Sequence, residues 1–292
     1  MGISERRVQE IGKSFLISLP KGWTRTVGVK KGTLLKINVS EKGNLTIAPE
    51  FIQTEKHAAA NIEYDEYFTR RFFREYFHAS ERITIVVEEG ITEASRKELY
   101  TFLKKFMNVQ IIEETKTKVV VKCFRIDELS IEECLRRMHF LALGMLDEAA
   151  SGKNPMKLME MRETTTRFYY LLVMQVRRFL SEGEFTKENQ IPLIRALDYR
   201  MVAEKLHRIT AIILSGIDNA SLKKTRSELD SAIGCFLKED FEGSLRVWQE
   251  LGKECERLSK AVICCQDTTR LRALYATSEL LRLTKSISSL VR

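Results

Sequence analysis

The spacing of apolar residues changes along these 292 residues, and the change dictates different folds for the two ends of the chain. Up to about residue 49, apolar side chains alternate between glycine-marked turns, the pattern of short strands. From Asp127 onward they recur every three or four residues and no strand pattern is left. Six of the fourteen glycines precede Asn44, and between there and Gly144 the sequence has only Gly90. The four prolines agree with this partition. Pro20 follows a strand and Pro49 closes the first region, while Pro155 and Pro192 sit where helices can begin without an N–H. The expectation is a multi-domain α+β protein with regions at residues 1–50, 51–126 and 127–292.

In the first region, residues 8–11 read as extended and Gly12-Lys13 as a turn. Phe15, Ile17 and Leu19 alternate as a strand, and residues 23–27 form a short helix stopped by Gly28. Lys31-Gly32 turns again, and residues 34–39 are a strand. Lys42-Gly43-Asn44 is a hairpin turn into Leu45-Thr46-Ile47. Fifty residues of this kind bury too little apolar surface to stand alone, which predicts two copies sharing one core.

The same region carries nine Lys/Arg against four Asp/Glu, a net of +5 out of the chain's +8. More than half of the imbalance therefore sits in about a sixth of the chain. Clustering of this kind, more than total charge, builds a field that attracts phosphate.

In the middle region, residues 67–79 predict an aromatic-rich helix and 82–87 a strand. Residues 92–106 predict a helix capped by Thr92, and residues 109–114 and 118–124 a hairpin across Lys116. The run Lys118-Val119-Val120-Val121-Lys122 suits a strand buried on both faces. The aromatic residues of 64–77 could stack on bases, but aromatics spaced along one helix are more often core. Beyond Asp127 six helices are expected, at 128–151, 155–182, 188–216, 220–238, 241–265 and 268–291, in two sets of three. Leu245, Trp248, Leu251, Cys255, Leu258 and Val262 give the apolar stripe of a bundle helix.

Several function classes fall away. No apolar run reaches the eighteen or so residues that a membrane-spanning helix needs, and the first ten residues have no signal-peptide core, so a cytoplasmic protein without membrane insertion is expected. The six cysteines form no CxxC pair; five lie in segments with helical periodicity and read as reduced thiols in helical interiors, and vicinal Cys264-Cys265 is the pair that merits a redox test. His57, His78, His139 and His207 lie on separate elements with no nucleophile motif beside them. Gly28-Val29-Lys30-Lys31-Gly32-Thr33 has the wrong spacing for a phosphate loop. Catalysis is not expected, and no cofactor is implied.

The run Lys13-Ser14-Phe15-Leu16-Ile17-Ser18-Leu19-Pro20-Lys21, then Val27-Gly28-Val29-Lys30-Lys31-Gly32, then Leu45-Thr46-Ile47, resembles the AbrB/MazE-type (SpoVT-AbrB) DNA-binding domain. The resemblance implies a dimeric swapped-hairpin β-barrel that docks on DNA. By position it implies contacts from Arg6 and Arg7 in the first strand, Lys13 and Ser14 at the following turn, and Lys21 and Arg25 near the short helix. Residues from about 128 to the end resemble the PhoU family of phosphate-uptake regulators. The likeness lies in Arg162-Glu163, in Arg167-Phe168-Tyr169-Tyr170-Leu171-Leu172-Val173 and in Leu206-His207-Arg208-Ile209. It implies a six-helix bundle of two three-helix repeats, and the order of the whole chain resembles archaeal PhoU-like transcription regulators.

The departures bear on metal binding. Where the family places carboxylates that share a hard metal ion, this chain has His207 and Ala211 in the third helix and Leu281 and Lys285 in the sixth. Thr164, Thr165 and Thr166 occupy the acidic stretch of the second helix. A lone Glu163 cannot hold a multinuclear cluster, so no metal is expected.

The function expected is a DNA-binding transcriptional regulator of phosphate uptake or homeostasis, binding double-stranded DNA as a homodimer or a higher oligomer, with the bundle as sensor or interaction module. The alternative is an adaptor docking on a phosphate transporter or signalling protein, with the N-terminal domain serving dimerisation. A chromatin-like DNA organiser and a toxin-neutralising partner are further readings. If six to ten phosphates are neutralised, log affinity should fall with log salt at a slope of roughly −5 to −9.

Overall fold

The computed structural model describes residues 5–39, 45–49, 59–126, 128–152, 154–182, 192–215 and 219–291. The chain divides into two compact units, Met1–Lys56 and His57–Arg292.

The first unit holds two separate antiparallel hairpins and one short helix. Strands β1 (Gln9–Ile11) and β2 (Ser14–Leu16) pair across the Gly12-Lys13 turn, where Gly12 takes φ 64°. Helix α1 (Lys21–Val27) follows Pro20 and is stopped by Gly28 at φ 73°, a left-handed conformation that costs a residue with a Cβ about 1 kcal/mol or more. Strands β3 (Leu35–Val39) and β4 (Leu45–Pro49) pair with Ile37 opposite Ile47. The expected Lys42-Gly43-Asn44 turn lies outside the described residues. Strand β2 is shorter than the alternation predicts, ending at Leu16, so Ile17 and Leu19 run on outside the ladder.

The second unit begins with a four-stranded sheet in the order β5-β6-β8-β7. Strand β5 (Ala60–Glu63) pairs parallel to β6 (Arg82–Val86), which pairs antiparallel to β8 (Lys118–Cys123), and β8 to β7 (Val109–Glu114). Sequence reasoning missed β5, a four-residue edge strand with polar Asn61 and Glu63 among its members. Val119, Val120 and Val121 are all buried, so β8 is covered on both faces as its sequence predicts. Helix α2 (Phe68–Phe77) buries Phe68, Phe72 and Tyr76 at four-residue spacing, and α3 (Glu93–Leu103) starts at a capping box in which Thr92 and Ser95 satisfy each other's backbone N–H groups. Phe68, Phe72 and Tyr76 are therefore core, with Tyr64, Phe73 and Phe77 packed against it, while Tyr67 is exposed.

Six helices follow: α4 (Ile131–Ser151), α5 (Pro155–Glu182), α6 (Leu193–Ile213), α7 (Asn219–Lys238), α8 (Phe241–Cys264) and α9 (Thr268–Ser288). The two later breaks predicted from the sequence are helix N-caps. Asp240 accepts from Gly243 N at 2.9 Å, and Asp267 accepts from Thr269 N at 2.8 Å.

One expectation is corrected on α8. The buried stripe runs through Ser244, Val247, Leu251 and Leu258, while Leu245 and Trp248 are substantially exposed. Trp248 tolerates this position because the Lys285 ammonium sits 4.1 Å from its ring centroid, partly covering an amphipathic side chain.

The α+β layer and the helices share one hydrophobic core. Tyr170 of α5 stacks on Phe106 at 5.3 Å and meets Phe73 edge-on at 5.0 Å. Arg167 Nε donates to the carbonyl of Lys104 at 2.9 Å, and Arg177 Nε to that of Phe77 at 3.1 Å. Buried aromatic pairs of this kind contribute about 0.5–1.5 kcal/mol each beyond their area, so α5 is fixed against the sheet layer along much of its length. All six cysteines are free thiols. Cys134 is buried and Cys123 lies in strand β8, both as expected, but Cys264 is exposed. Burial pushes the thiols of Cys123 and Cys134 up to about 12.

Candidate nucleic-acid interface

The hairpins of the first unit leave their apolar side chains in solvent. On β3/β4 one face collects Leu35, Ile37, Val39, Leu45, Ile47 and Pro49, while Lys36, Thr46 and Ala48 alternate onto the other. A sheet with one apolar face needs a covering layer, yet Ile37, Val39 and Leu45 are 61%, 66% and 59% exposed. On β1/β2 the bareness extends to both faces: Phe15, paired with Glu10, is 73% exposed, and Ile11 and Leu16 on the opposite side are exposed too.

Among the described residues of this unit, nine large apolar side chains are exposed: Val8, Ile11, Phe15, Leu16, Ile17, Leu34, Ile37, Val39 and Leu45. These nine lie on or next to two hairpins and on more than one face, so the unit is bare in several places rather than in one patch. A two-stranded hairpin by itself is marginal in water. The unit as one copy therefore lacks the layer its sequence pattern requires.

The cations lie on the same unit. Its described residues contain eight Lys/Arg (Arg6, Arg7, Lys13, Lys21, Arg25, Lys30, Lys31 and Lys36) against two carboxylates, Glu5 and Glu10. The six residues expected to meet DNA are all exposed and fall in three places. Arg6 and Arg7 precede β1 rather than lying within it, because the ladder starts only at Gln9. Arg6 Nη1 donates to the backbone carbonyl of Glu5 at 2.8 Å. Lys13 occupies the β1/β2 turn, and Ser14 opens β2. Lys21 and Arg25 begin and end the same face of α1, four residues apart. Among the described residues, none of Arg7, Lys13, Lys21 and Arg25 is paired with a carboxylate. Lys30 and Lys31, which sequence reasoning placed in a turn but not among the contacts, are likewise exposed. Their turn is closed by Lys30 N donating to Thr33 Oγ1 at 2.9 Å, with Gly32 at φ 86°.

A side chain without a negative partner keeps its full field in solvent, and cations on turns and on one helix face suit phosphate oxygens spaced along a strand.

The helices hold a second polar cluster that sequence reasoning did not assemble. Arg162 and Thr166 are one turn apart on α5, and His207 of α6 comes within 3.2 Å of the Thr166 hydroxyl. The i, i+4 spacing of Arg162 and Thr166 was legible; the pairing with His207, forty-one residues away, needed the packing of α5 on α6. Among the described residues no group of three or more His, Cys, Asp or Glu is placed to hold a metal ion, and no helix is long and apolar enough to cross a membrane. Leu281 is buried and Lys285 covers Trp248. No family model matches the chain, and no curated protein or solved structure matches it to a significant degree.

Proposed function

We propose that the chain is a DNA-binding transcription regulator linked to phosphate uptake or homeostasis, acting as a dimer in which two first units interlace their hairpins into one β-barrel. The observation that carries this reading is the coincidence, within about fifty residues, of an uncovered apolar β3/β4 face with the exposed cations Arg7, Lys13, Lys21 and Arg25, which meet no carboxylate among the described residues. A second copy supplies the missing layer. It also doubles the cationic surface formed by Arg6, Arg7, Lys13, Lys21 and Arg25, with Ser14 as a neutral donor. A two-fold arrangement of this kind reads a pseudo-palindromic site.

The link to phosphate rests on the resemblance of residues 162–173 and 206–209 to the phosphate-uptake regulators and on the six consecutive helices that follow residue 130. In this reading the helical region is the sensor or interaction module.

Promoter mapping and gel shifts test the reading with the full chain. Discrete protected sites and a log–log salt slope between roughly −5 and −9 are expected, and Arg7→Ala with Lys13→Ala should abolish the shift while helical circular dichroism is retained. Binding that is unaltered in that double variant would refute the assigned surface. A chain that ignores duplex DNA at low salt yet is retained by a transporter or signalling protein would favour the adaptor reading.

A further inference from the structure

At the Arg162 cluster, the Thr166 hydroxyl donates to the backbone carbonyl of Arg162 at 2.9 Å and accepts from Arg162 Nη1 at 3.1 Å. His207 Nε2 lies 3.2 Å from the same oxygen. The hydroxyl has one proton and gives it to the carbonyl, so we assign the proton on the imidazole to Nε2, which then donates as well. Two nitrogen donors, one of them a guanidinium, thus converge on a single neutral oxygen.

Arg162 is half-buried, and loss of hydration pulls its pKa down from the ordinary arginine value. Some arginines of this unit meet carboxylates, as Arg96 meets Glu114, Arg195 meets Glu239 and Arg226 meets Asp147, while Arg167 and Arg177 meet backbone carbonyls. Among the described residues Arg162 meets no carboxylate, and it spends one of its five N–H groups on Thr166. Burial also holds His207 down at about 4, with the Arg162 charge adding to the effect, so the imidazole is neutral at pH 7. The surrounding walls are aromatic. The Tyr169 ring lies flat on His207, with centroids 4.4 Å apart and planes at 12°, and Tyr170 lies 6.3 Å away. Glu204 and Arg200 act on Tyr169 with opposite sign.

A Thr–His nucleophile–base pair does not fit these facts. The hydroxyl proton is committed to a carbonyl, the imidazole is a weak base, and no carboxylate is seen to orient it. An anion does fit. A desolvated cation costs free energy until a negative group meets it, and the planar guanidinium fork matches two oxygens of a tetrahedral oxyanion.

We propose that Arg162, Thr166 and His207 form a binding site for a small oxyanion of the phosphate class. The N–H groups of Arg162 that Thr166 leaves free take two oxygens of the anion, while Thr166, which accepts from both Arg162 Nη1 and His207 Nε2, holds the guanidinium in place. The site goes beyond the regulator reading and does not depend on it, since its test measures anion binding and involves no DNA.

The experiment is a titration of the full chain with inorganic phosphate at pH 7, following the ring C–H signals of His207 by NMR. The signals are assigned by their loss in His207→Gln, and chloride at equal ionic strength serves as the reference. A saturable movement of the His207 signals with phosphate and none with chloride is expected. Calorimetry should show one phosphate per chain at this site, weakened about tenfold or more by Arg162→Gln, the loss of a charge-assisted contact. His207 signals that stay in place through tens of millimolar phosphate, or move equally with chloride, would overturn the proposal. Because that readout uses the unaltered chain, it decides the matter even if Arg162→Gln fails to fold.

Discussion

Protonation of His207 should cost the second unit stability in a pH window set by its burial. The ring is half-buried between α5 and α6, stacked on Tyr169 and hydrogen-bonded to Thr166, with Arg162 beside it. Desolvation, assisted by that guanidinium, lowers its pKa from 6.5 to about 4. The folded pKa lies below the unfolded one, so the unfolded chain binds the proton more tightly. Stability tied to His207 is therefore complete above about pH 6.5 and is lost as the pH falls toward 4. A difference of about 2.5 units corresponds to roughly 3 kcal/mol over the whole window, of which about 2 kcal/mol should be gone by pH 5. Carboxylates and His139, whose pKa burial also lowers, add a background to any acid titration. His207→Gln removes only the term of interest, because glutamine keeps an N–H near the position of Nε2 and cannot titrate. Urea unfolding of wild type and variant, followed by the helical signal at pH 7.5 and at pH 5, gives the difference directly. The variant should be the less stable at pH 7.5 and should lose about 2 kcal/mol less on acidification. Parallel losses in the two proteins, or a His207 pKa near 6.5 by NMR, would show that the cavity around the ring is wet and the reasoning wrong.

Ile37→Asp places a charge on the uncovered β3/β4 face. If a second copy covers that face, the substitution buries a carboxylate without a partner and should turn a dimer into a monomer at micromolar concentration in sedimentation, whereas an unchanged dimer would place the association elsewhere. Ser130→Ala removes the cap of α4, where Ser130 Oγ accepts from Glu133 N at 3.1 Å and the Glu133 carboxylate accepts in return from Ser130 N at 2.7 Å. A loss of about 1 kcal/mol in chemical denaturation is expected, and a variant as stable as wild type would mean that the α4 terminus frays in solution.

Legibility in the sequence followed the reach of the interactions involved. Helix limits in the last region were readable within a few residues because their signals are local: Pro155 at a first turn, Gly152 at φ 64° after α4, Asp240 and Asp267 as caps. The valine run of β8 announced a strand covered on both sides. Strand β5 escaped because four residues with alternating polar members carry too little pattern, and its partner β6 lies some twenty residues away across α2. The stripe on α8 was misjudged at Leu245 and Trp248, since periodicity marks a helix as amphipathic without saying which neighbouring side chain will cover its margin. The Arg162 cluster failed for a related reason. Thr164 to Thr166 and His207 were noticed as carboxylates lost, a reading of each helix alone. That Arg162 stands at the same point and has no negative partner there emerges only when α5 and α6 are packed together.

The two units differ in how far each satisfies itself, and this has a consequence for the proposed dimer. The described residues of the second unit bury a continuous core of their own. The first unit has Pro49 as its one buried described residue. If a second copy supplies the missing layer, as proposed, the stability gained by association depends on concentration. Under the proposed barrel, ordering of the cationic surface and pairing of the chains are then one equilibrium, so the DNA-competent form rises with the square of the free chain concentration. A partner or anion that acts on the helices needs no direct contact with DNA to matter. Whatever shifts the association of two chains shifts occupancy of the operator with it.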